Sequence, residues 1–175
     1  FHESQPGFKY EIIINPQMSF GTGYHETTTQ MMEYIMQADL TSKNVLDMGC
    51  GTGILGILAE KCGAAKVECV DIDEWCFKNA TESIELNGCK NIHITLGGAE
   101  TLPQEPVFDV ILANINRNIL VRDMQIYAAA LKHGGTIMMS GFYEQDIPVI
   151  TDEASRHGLK LEETHTMNEW SAIKL

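Results

Sequence analysis

Two rhythms of apolar and polar residues alternate along this chain, and the switches between them outline its elements. Five short apolar runs read as strands: Val45–Met48, Val67–Ile72, Ile92–Leu96, Val107–Ala113 and Thr136–Ser140. Between them, Gly53–Cys62, Glu74–Leu86 and Ile119–Leu131 have helical spacing. Lys132-His133-Gly134-Gly135 should stop the last of these, basic residues first and then glycine. A further helix runs from about Glu144 to His157 and ends at Gly158. Repeated strand–helix alternation predicts an α/β, doubly wound fold with a mostly parallel sheet covered on both faces.

The tail breaks the rhythm. Leu159–Thr166 and Glu169–Leu175 read as two strands joined by a short polar turn, Met167-Asn168. A hairpin joins antiparallel neighbours, so the last strand should run against the rest. Ahead of the sheet come a strand-like run (Phe8–Ile14), a loop (Asn15–Gly23) and a helix from about His25 to Gln37. Met31, Ile35 and Ala38 share one face of that helix, as core filler. No repeat, low-complexity tract or linker divides residues 1–175, so one domain is expected.

Candidate chemistry begins at V-L-D-M-G-C-G-T-G, Val45 to Gly53. A strand feeding a glycine turn and then a helix is the ground plan of a nucleotide-type cofactor site. Gly49, Gly51 and Gly53 remove the Cβ atoms that would hold a ligand off the backbone. Asp71 closes the next strand, where it can accept hydrogen bonds from ribose hydroxyls. Gly51 to Gly56 also fits G-x-G-x-x-G, the dinucleotide signature. Asp47 argues for a different ligand, because a carboxylate beside the turn repels a pyrophosphate and attracts the sulfonium and ammonium of S-adenosylmethionine. A dinucleotide, and a glycine turn with no ligand, remain the alternatives.

The second informative segment is F-G-T-G-Y-H-E-T-T, Phe20 to Thr28. Gly21 and Gly23 allow a tight fold over a ligand, and Thr27 and Thr28 offer hydroxyls for a helix cap or for the cofactor. Asn114 ends the strand Val107–Ala113 at the edge where open parallel sheets bind ligands. Its side-chain oxygen can accept a hydrogen bond from an amine and aim the nitrogen lone pair. Otherwise it is a turn or helix cap. Gly97-Gly98-Ala99-Glu100 follows the third strand and would border an adenine, with Glu100 near the exocyclic amine. His25 is a candidate base or proton relay, and Trp170 a candidate wall of a substrate channel.

Composition narrows the partners. A formal net charge of −12 argues against a nucleic-acid backbone and is compatible with a basic protein substrate. No apolar run reaches a membrane span and no signal-peptide pattern appears. The five cysteines include no C-x-x-C and no zinc spacing, so reduced thiols in a cytoplasmic protein, and no metal, are expected.

These segments, with V-D-I-D, L-A-N-I, G-G-T-I-M-M-S-G and the terminal E-W, give the chain its resemblance to a known family. It resembles the methyltransferases that modify protein eleven of the large ribosomal subunit, over nearly all of its length. The resemblance implies seven strands with the final one reversed, and S-adenosylmethionine contacts at Thr28, Gly49, Asp71 and Asn114, to which the glycine turn and its surroundings add Asp47, Gly51 and Ala99. It implies transfer to lysine side-chain and N-terminal amines of a ribosomal protein. An N-terminal domain that grips this substrate is usual in the family and is expected to be absent here. Two further segments depart from the expected pattern. Ile115-Asn116-Arg117 stands where many amine methyltransferases carry Pro-Pro-aromatic, and Phe142-Tyr143 are aromatic where the family more often has aliphatic residues. A monomer is expected. The rival readings are a small-molecule methyltransferase with the same donor site, an NAD-binding oxidoreductase, and a module that binds the cofactor without transferring a methyl group.

Overall fold

Adjacent residues in the central strands serve opposite layers, and this two-residue period builds the core. The computed structural model describes Gly7, residues 9–14 and residues 25–175. Strand β1 (Asn44–Met48) lies between β2 (Lys66–Asp71) and β4 (Phe108–Asn114). Val45 joins one apolar cluster while Leu46 joins the other, and Val110/Ile111 and Met138/Met139 divide in the same way. Such a strand has no solvent face, so its sequence is continuously apolar rather than alternating.

The sheet has seven strands in the order β3-β2-β1-β4-β5-β7-β6, with β3 Ile92–Leu96, β5 Leu131–Tyr143, β6 Glu163–Met167 and β7 Trp170–Lys174. The first five are parallel, and β7 runs antiparallel to both β5 and β6. This is the doubly wound sheet with a reversed last strand that the pattern and the resemblance predict. Helix α1 (Glu26–Gln37) precedes the first strand, and α2 (Ile54–Lys61) and α3 (Glu74–Leu86) follow β1 and β2. The first two bury Met31, Ile35, Leu55 and Leu58 in one cluster. Helix α4 (Arg117–Ala130) buries Leu120, Met124 and Tyr127 in the other cluster, joined there by Ile150 of α5 (Ile147–Arg156). Among the described residues no helix is long and apolar enough to cross a membrane.

Four expectations change. Residues 9–14 form no strand, because the Ile13 backbone pairs with a side chain. Its N–H donates to Asn87 Oδ1 (3.0 Å) and its carbonyl accepts from Asn87 Nδ2 (2.6 Å), so one amide does the work of a neighbouring strand. Phe8 and the loop Asn15–Gly23 lie outside the described residues. Helix α4 starts early, at Arg117, because Asn116 Oδ1 caps it by accepting from Ile119 N–H (3.2 Å). It ends at Ala130, and 131–135 continue as strand: Leu131 pairs with Phe108, and the register then slips before Val110 meets Thr136. The α-helix expected from Glu144 begins at Ile147, after one tight 3₁₀ turn. In the hairpin, Asn168 (φ 48°) and Glu169 (φ 70°) are the two turn residues, both left-handed as a two-residue type I′ loop requires.

Candidate cofactor and acceptor site

The glycine turn leaves β1 in a left-handed course, with φ of 69° at Gly49, 55° at Gly51 and 78° at Gly53. L-residues with a Cβ rarely adopt this region, so the turn needs glycine at all three positions. It is pinned to its neighbour: Gly49 N–H (2.8 Å) and Cys50 N–H (3.1 Å) both donate to the Val70 carbonyl. Asp71, at the end of β2 and buried, accepts from Gly51 N–H at 2.8 Å through one carboxylate oxygen and from Asp73 N–H at 3.0 Å through the other. Each oxygen keeps a second lone pair for a ligand. The next residue, Ile72, is 81 % exposed, and Trp75 one turn further on is 74 % exposed. A large apolar surface beside a satisfied carboxylate suits the face of a planar base. The apolar run Val67–Ile72 extends one residue too far as a strand: β2 closes at Asp71 and Ile72 lies beyond it.

Asp47 lies elsewhere than at the rim. It is buried beneath the turn, where its Oδ2 accepts from Gly56 N–H at the start of α2 (2.9 Å). Burial pushes its carboxyl up to about 7, against the pull of the Gly56 hydrogen bond and with a smaller push from Asp71. Its charge therefore acts through the turn, and it is not the openly ionised group that the sequence reading pictured. Gly56 packs the helix onto the sheet: a Cβ there would come within 2.6 Å of Cys69 Sγ.

Strand β4 runs beside β1 and ends in Asn114, partly exposed and level with Ser140 of β5. Gly49, Gly51, Asp71 and Asn114 thus meet at the carboxyl ends of three adjacent strands, the edge at which open α/β sheets bind ligands. Ala99 follows β3 and is buried in the core beside Met48 and Val70. Glu100 is occupied by its own loop, its Oε1 accepting from Gly98 N–H at 2.7 Å, and that bond holds its carboxyl below the ordinary value.

Of the F-G-T-G-Y-H-E-T-T segment, His25–Thr28 are described and Phe20–Tyr24 are not. Neither threonine caps α1. His25 does: its Nδ1 accepts from Thr27 N–H (3.3 Å), which places the ring proton on Nε2. Thr28 is buried in the first turn. The His25 ring stands edge-on to Trp170, centroids 4.9 Å apart, and Tyr143 lies against Trp170 at 4.4 Å. Gln30, fully buried on α1, holds this wall by donating through Nε2 to the carbonyls of Trp170 (2.9 Å) and His165 (3.1 Å). Gln30 and Tyr143 were missed in the sequence, since neither contact has a local signature. A shallow notch of about 380 Å³ opens beside the wall, lined by Tyr143, Glu144, Gln145 and Glu169. A separate cavity of about 190 Å³, lined by Asn44, Val45 and Phe108 among others, touches none of the expected site residues. Among the described residues no group of three or more acids, histidines or cysteines could hold a metal ion.

Comparison with known proteins bears on the family and the fold. The family model described as "Ribosomal protein L11 methyltransferase (PrmA)" matches residues 2–175. Relatives named ribosomal protein L11 methyltransferase include one from Porphyromonas gingivalis, 51 % identical over 99 % of this chain and 60 % of its own length. Another, from Bacteroides fragilis, is 49 % identical over 99 % of this chain and 62 % of its own. The chain therefore spans about three fifths of the length of these curated relatives. A crystal structure of ribosomal protein L11 methylase from Lactobacillus delbrueckii subsp. bulgaricus superposes with a TM-score of 0.90 at 28 % identity, covering 99 % of this chain and 89 % of that one. With the glycine turn, Asp71 and Asn114 on one sheet edge and a family match along nearly its whole length, the chain belongs to the ribosomal protein L11 methyltransferase (PrmA) family.

Proposed function

We propose that this chain is the catalytic domain of an S-adenosylmethionine-dependent methyltransferase acting on lysine side-chain and N-terminal amines of ribosomal protein L11. The observation that carries the reading is the meeting of the glycine turn, Asp71 and Asn114 at one sheet edge, in a chain of this family. The residues fit the donor in kind. The turn is bare of Cβ atoms, Asp71 has spare acceptor lone pairs for a ribose, and Ile72 offers an apolar face beside it. In this reading Thr28, Gly49, Gly51, Asp71, Ala99 and Asn114 hold the donor, and Asp47 braces the turn from beneath. When bound, the donor supplies a methyl carbon activated by its sulfonium.

The remaining work falls to the chain. Asn114 Oδ1 accepts an N–H from the acceptor amine and aims its lone pair along the carbon–sulfur axis; orientation of this kind supplies several kcal/mol of a barrier, with an upper range of about 7–11. One N–C bond forms as the C–S bond breaks, and the amine gives its proton to solvent. Free lysine, with a pKa of about 10.4, is neutral in roughly one molecule per thousand near pH 7.4, so the amine must lose its proton before transfer; the carboxylates of Glu144 and Glu169 beside the wall attract the charged form on approach, and deprotonation is left to solvent. His25 Nδ1 is committed to the α1 cap, which leaves that ring as part of the wall rather than as a free base. The expected setting is a monomer in the cytoplasm.

Methyl-labelled donor incubated with L11, and in parallel with a panel of metabolites, should label L11 alone. Separately, S-adenosylhomocysteine should raise the melting temperature and NAD should not; a ligand present at a hundred times its Kd adds about 2.7 kcal/mol. Stabilisation by NAD alone would overturn the reading.

A further inference from the structure

We propose that Asp146 is a positioning residue for the acceptor side of the site, one carboxylate that sets both the loop leaving Asn114 and the aromatic end of β5. The inference rests on the methyltransferase reading above. Asp146 immediately precedes α5, where an aspartate ordinarily caps the helix with its side chain. It makes no such cap here. Its carboxylate turns back instead: Oδ1 accepts from Arg117 Nη1 at 2.8 Å, and Oδ2 accepts from Tyr143 N–H at 3.2 Å. Asp146 itself is buried, at 8 % exposed, while its partner Arg117 is half-exposed, so the carboxylate is fixed from the protein side and the guanidinium reaches it from the surface.

The two partners border the reacting edge from different elements. Arg117 lies three residues beyond Asn114, and its remaining guanidinium nitrogens, Nε and Nη2, donate to Asn118 Oδ1 at 3.1 and 3.0 Å. The guanidinium is thus held on both sides. Tyr143 carries the ring that rests on Trp170. Between them the backbones already touch. Ile115 N–H donates to the Ser140 carbonyl at 3.1 Å, and a Cβ on Gly141 would come within 2.7 Å of the Ile115 carbonyl oxygen. Asp146 adds a second link between the same two segments, from Arg117 on one side to Tyr143, and through its ring to Trp170, on the other. Arg117 follows Asn114 in the segment that differs from many amine methyltransferases, Tyr143 lies in the segment that is aromatic where the family more often has aliphatic residues, and both bond the same carboxylate.

The test uses the intact protein with recombinant ribosomal protein L11 as acceptor. Asp146→Asn and Arg117→Gln should each raise the KM for L11 about tenfold while the Kd for S-adenosylmethionine stays within twofold. Both should reduce the near-UV circular dichroism of the Tyr143–Trp170 pair, read in a Trp75→Phe background. Arg117→Lys keeps one donor for Oδ1 and should return both readouts toward wild type. Because Arg117 is half-exposed, its substitution tests the idea even if Asp146→Asn fails to fold. An unchanged KM for L11 in Arg117→Gln, or donor affinity lost in step with acceptor affinity, would overturn the proposal. If the unsubstituted protein labels no L11 at all, the methyltransferase assignment to L11 falls and takes this inference with it.

Discussion

Ile115 rests on Gly49: a Cβ built at Gly49 would fall on Ile115 Cγ2. The residue after the proposed amine-orienting Asn114 is therefore in contact with the first glycine of the cofactor turn. Donor side and acceptor side are coupled through one methyl group. Gly49→Ala should disturb both, since it adds a left-handed penalty of roughly 1–2 kcal/mol and displaces Ile115. Calorimetric titration with S-adenosylhomocysteine should show the affinity falling at least tenfold; an unaltered Kd would refute the coupling.

Asn114→Ala should separate binding from chemistry. Turnover should fall on the order of a hundredfold, as expected for a misaligned nucleophile, while donor affinity, held also by Thr28, Gly49 and Asp71 in this reading, falls much less. Single-turnover kinetics with saturating donor measure this directly, and near-normal turnover would remove Asn114 from its role.

Glycines elsewhere give a graded series. Gly141 has φ 97° and its Cβ would press on the Ile115 backbone, whereas Gly158 has φ 81° and open space around its Cβ site. Alanine at 158 should cost about 1 kcal/mol, from backbone conformation alone. At 141 the backbone itself must move, and the cost should reach about 2–4 kcal/mol. Urea denaturation of the two variants should rank them in this order, and equal midpoints would contradict the close approach of β5 to the loop after Asn114.

Asp47 should make the fold less stable as pH rises. Its pKa is about 7 in the folded chain against 3.8 for the ordinary group, so between these values the folded state holds the extra proton. Stability from this group is highest below about pH 4, falls as pH climbs toward 7 and then levels, by at most about 4 kcal/mol. Asp47→Asn keeps an acceptor for Gly56 N–H and removes the titration. The difference in unfolding free energy between variant and wild type should grow from pH 4 to pH 7 in the variant's favour. A constant difference would place the proton elsewhere.

The thiols should differ sharply in reactivity. Cys50 and Cys69 are buried; the hydrogen bond between them raises the Cys50 thiol and lowers that of Cys69, while burial and nearby carboxylates push both up, so each ends above its ordinary value. Cys76 and Cys89 are pushed up to about 11, mainly by desolvation. Iodoacetamide at pH 8 followed by peptide mapping should modify Cys50 and Cys69 only after unfolding, because the thiolate is the attacking form. Early labelling of Cys50 would mean that the glycine turn opens readily.

The cofactor half was legible from residues 45 to 114 because its signals are local. A strand, a glycine turn and a following acid lie within a few dozen positions, and both faces of the central strands β1 and β4 are buried, so apolar runs mark them. The acceptor half was not legible, because its contacts join distant positions. Gln30 reaches Trp170 across 140 residues and Arg117 reaches Asp146 across 29. Asp146 read as part of a helix and Ile13 as part of a strand. In each case a side chain on another element had claimed the backbone or charge that the local pattern assigned elsewhere.

The reversed strand β7 has a consequence for how such a molecule changes. Running backward, it opens on the rim where the forward strands finish, so a residue from the chain's last few positions shares a wall with one from β5. In the proposed reading, choice of acceptor can then be rewritten by edits near the hairpin and the start of α5, leaving the glycine turn and Asp71 untouched. A lineage could acquire a new target while keeping its old fuel.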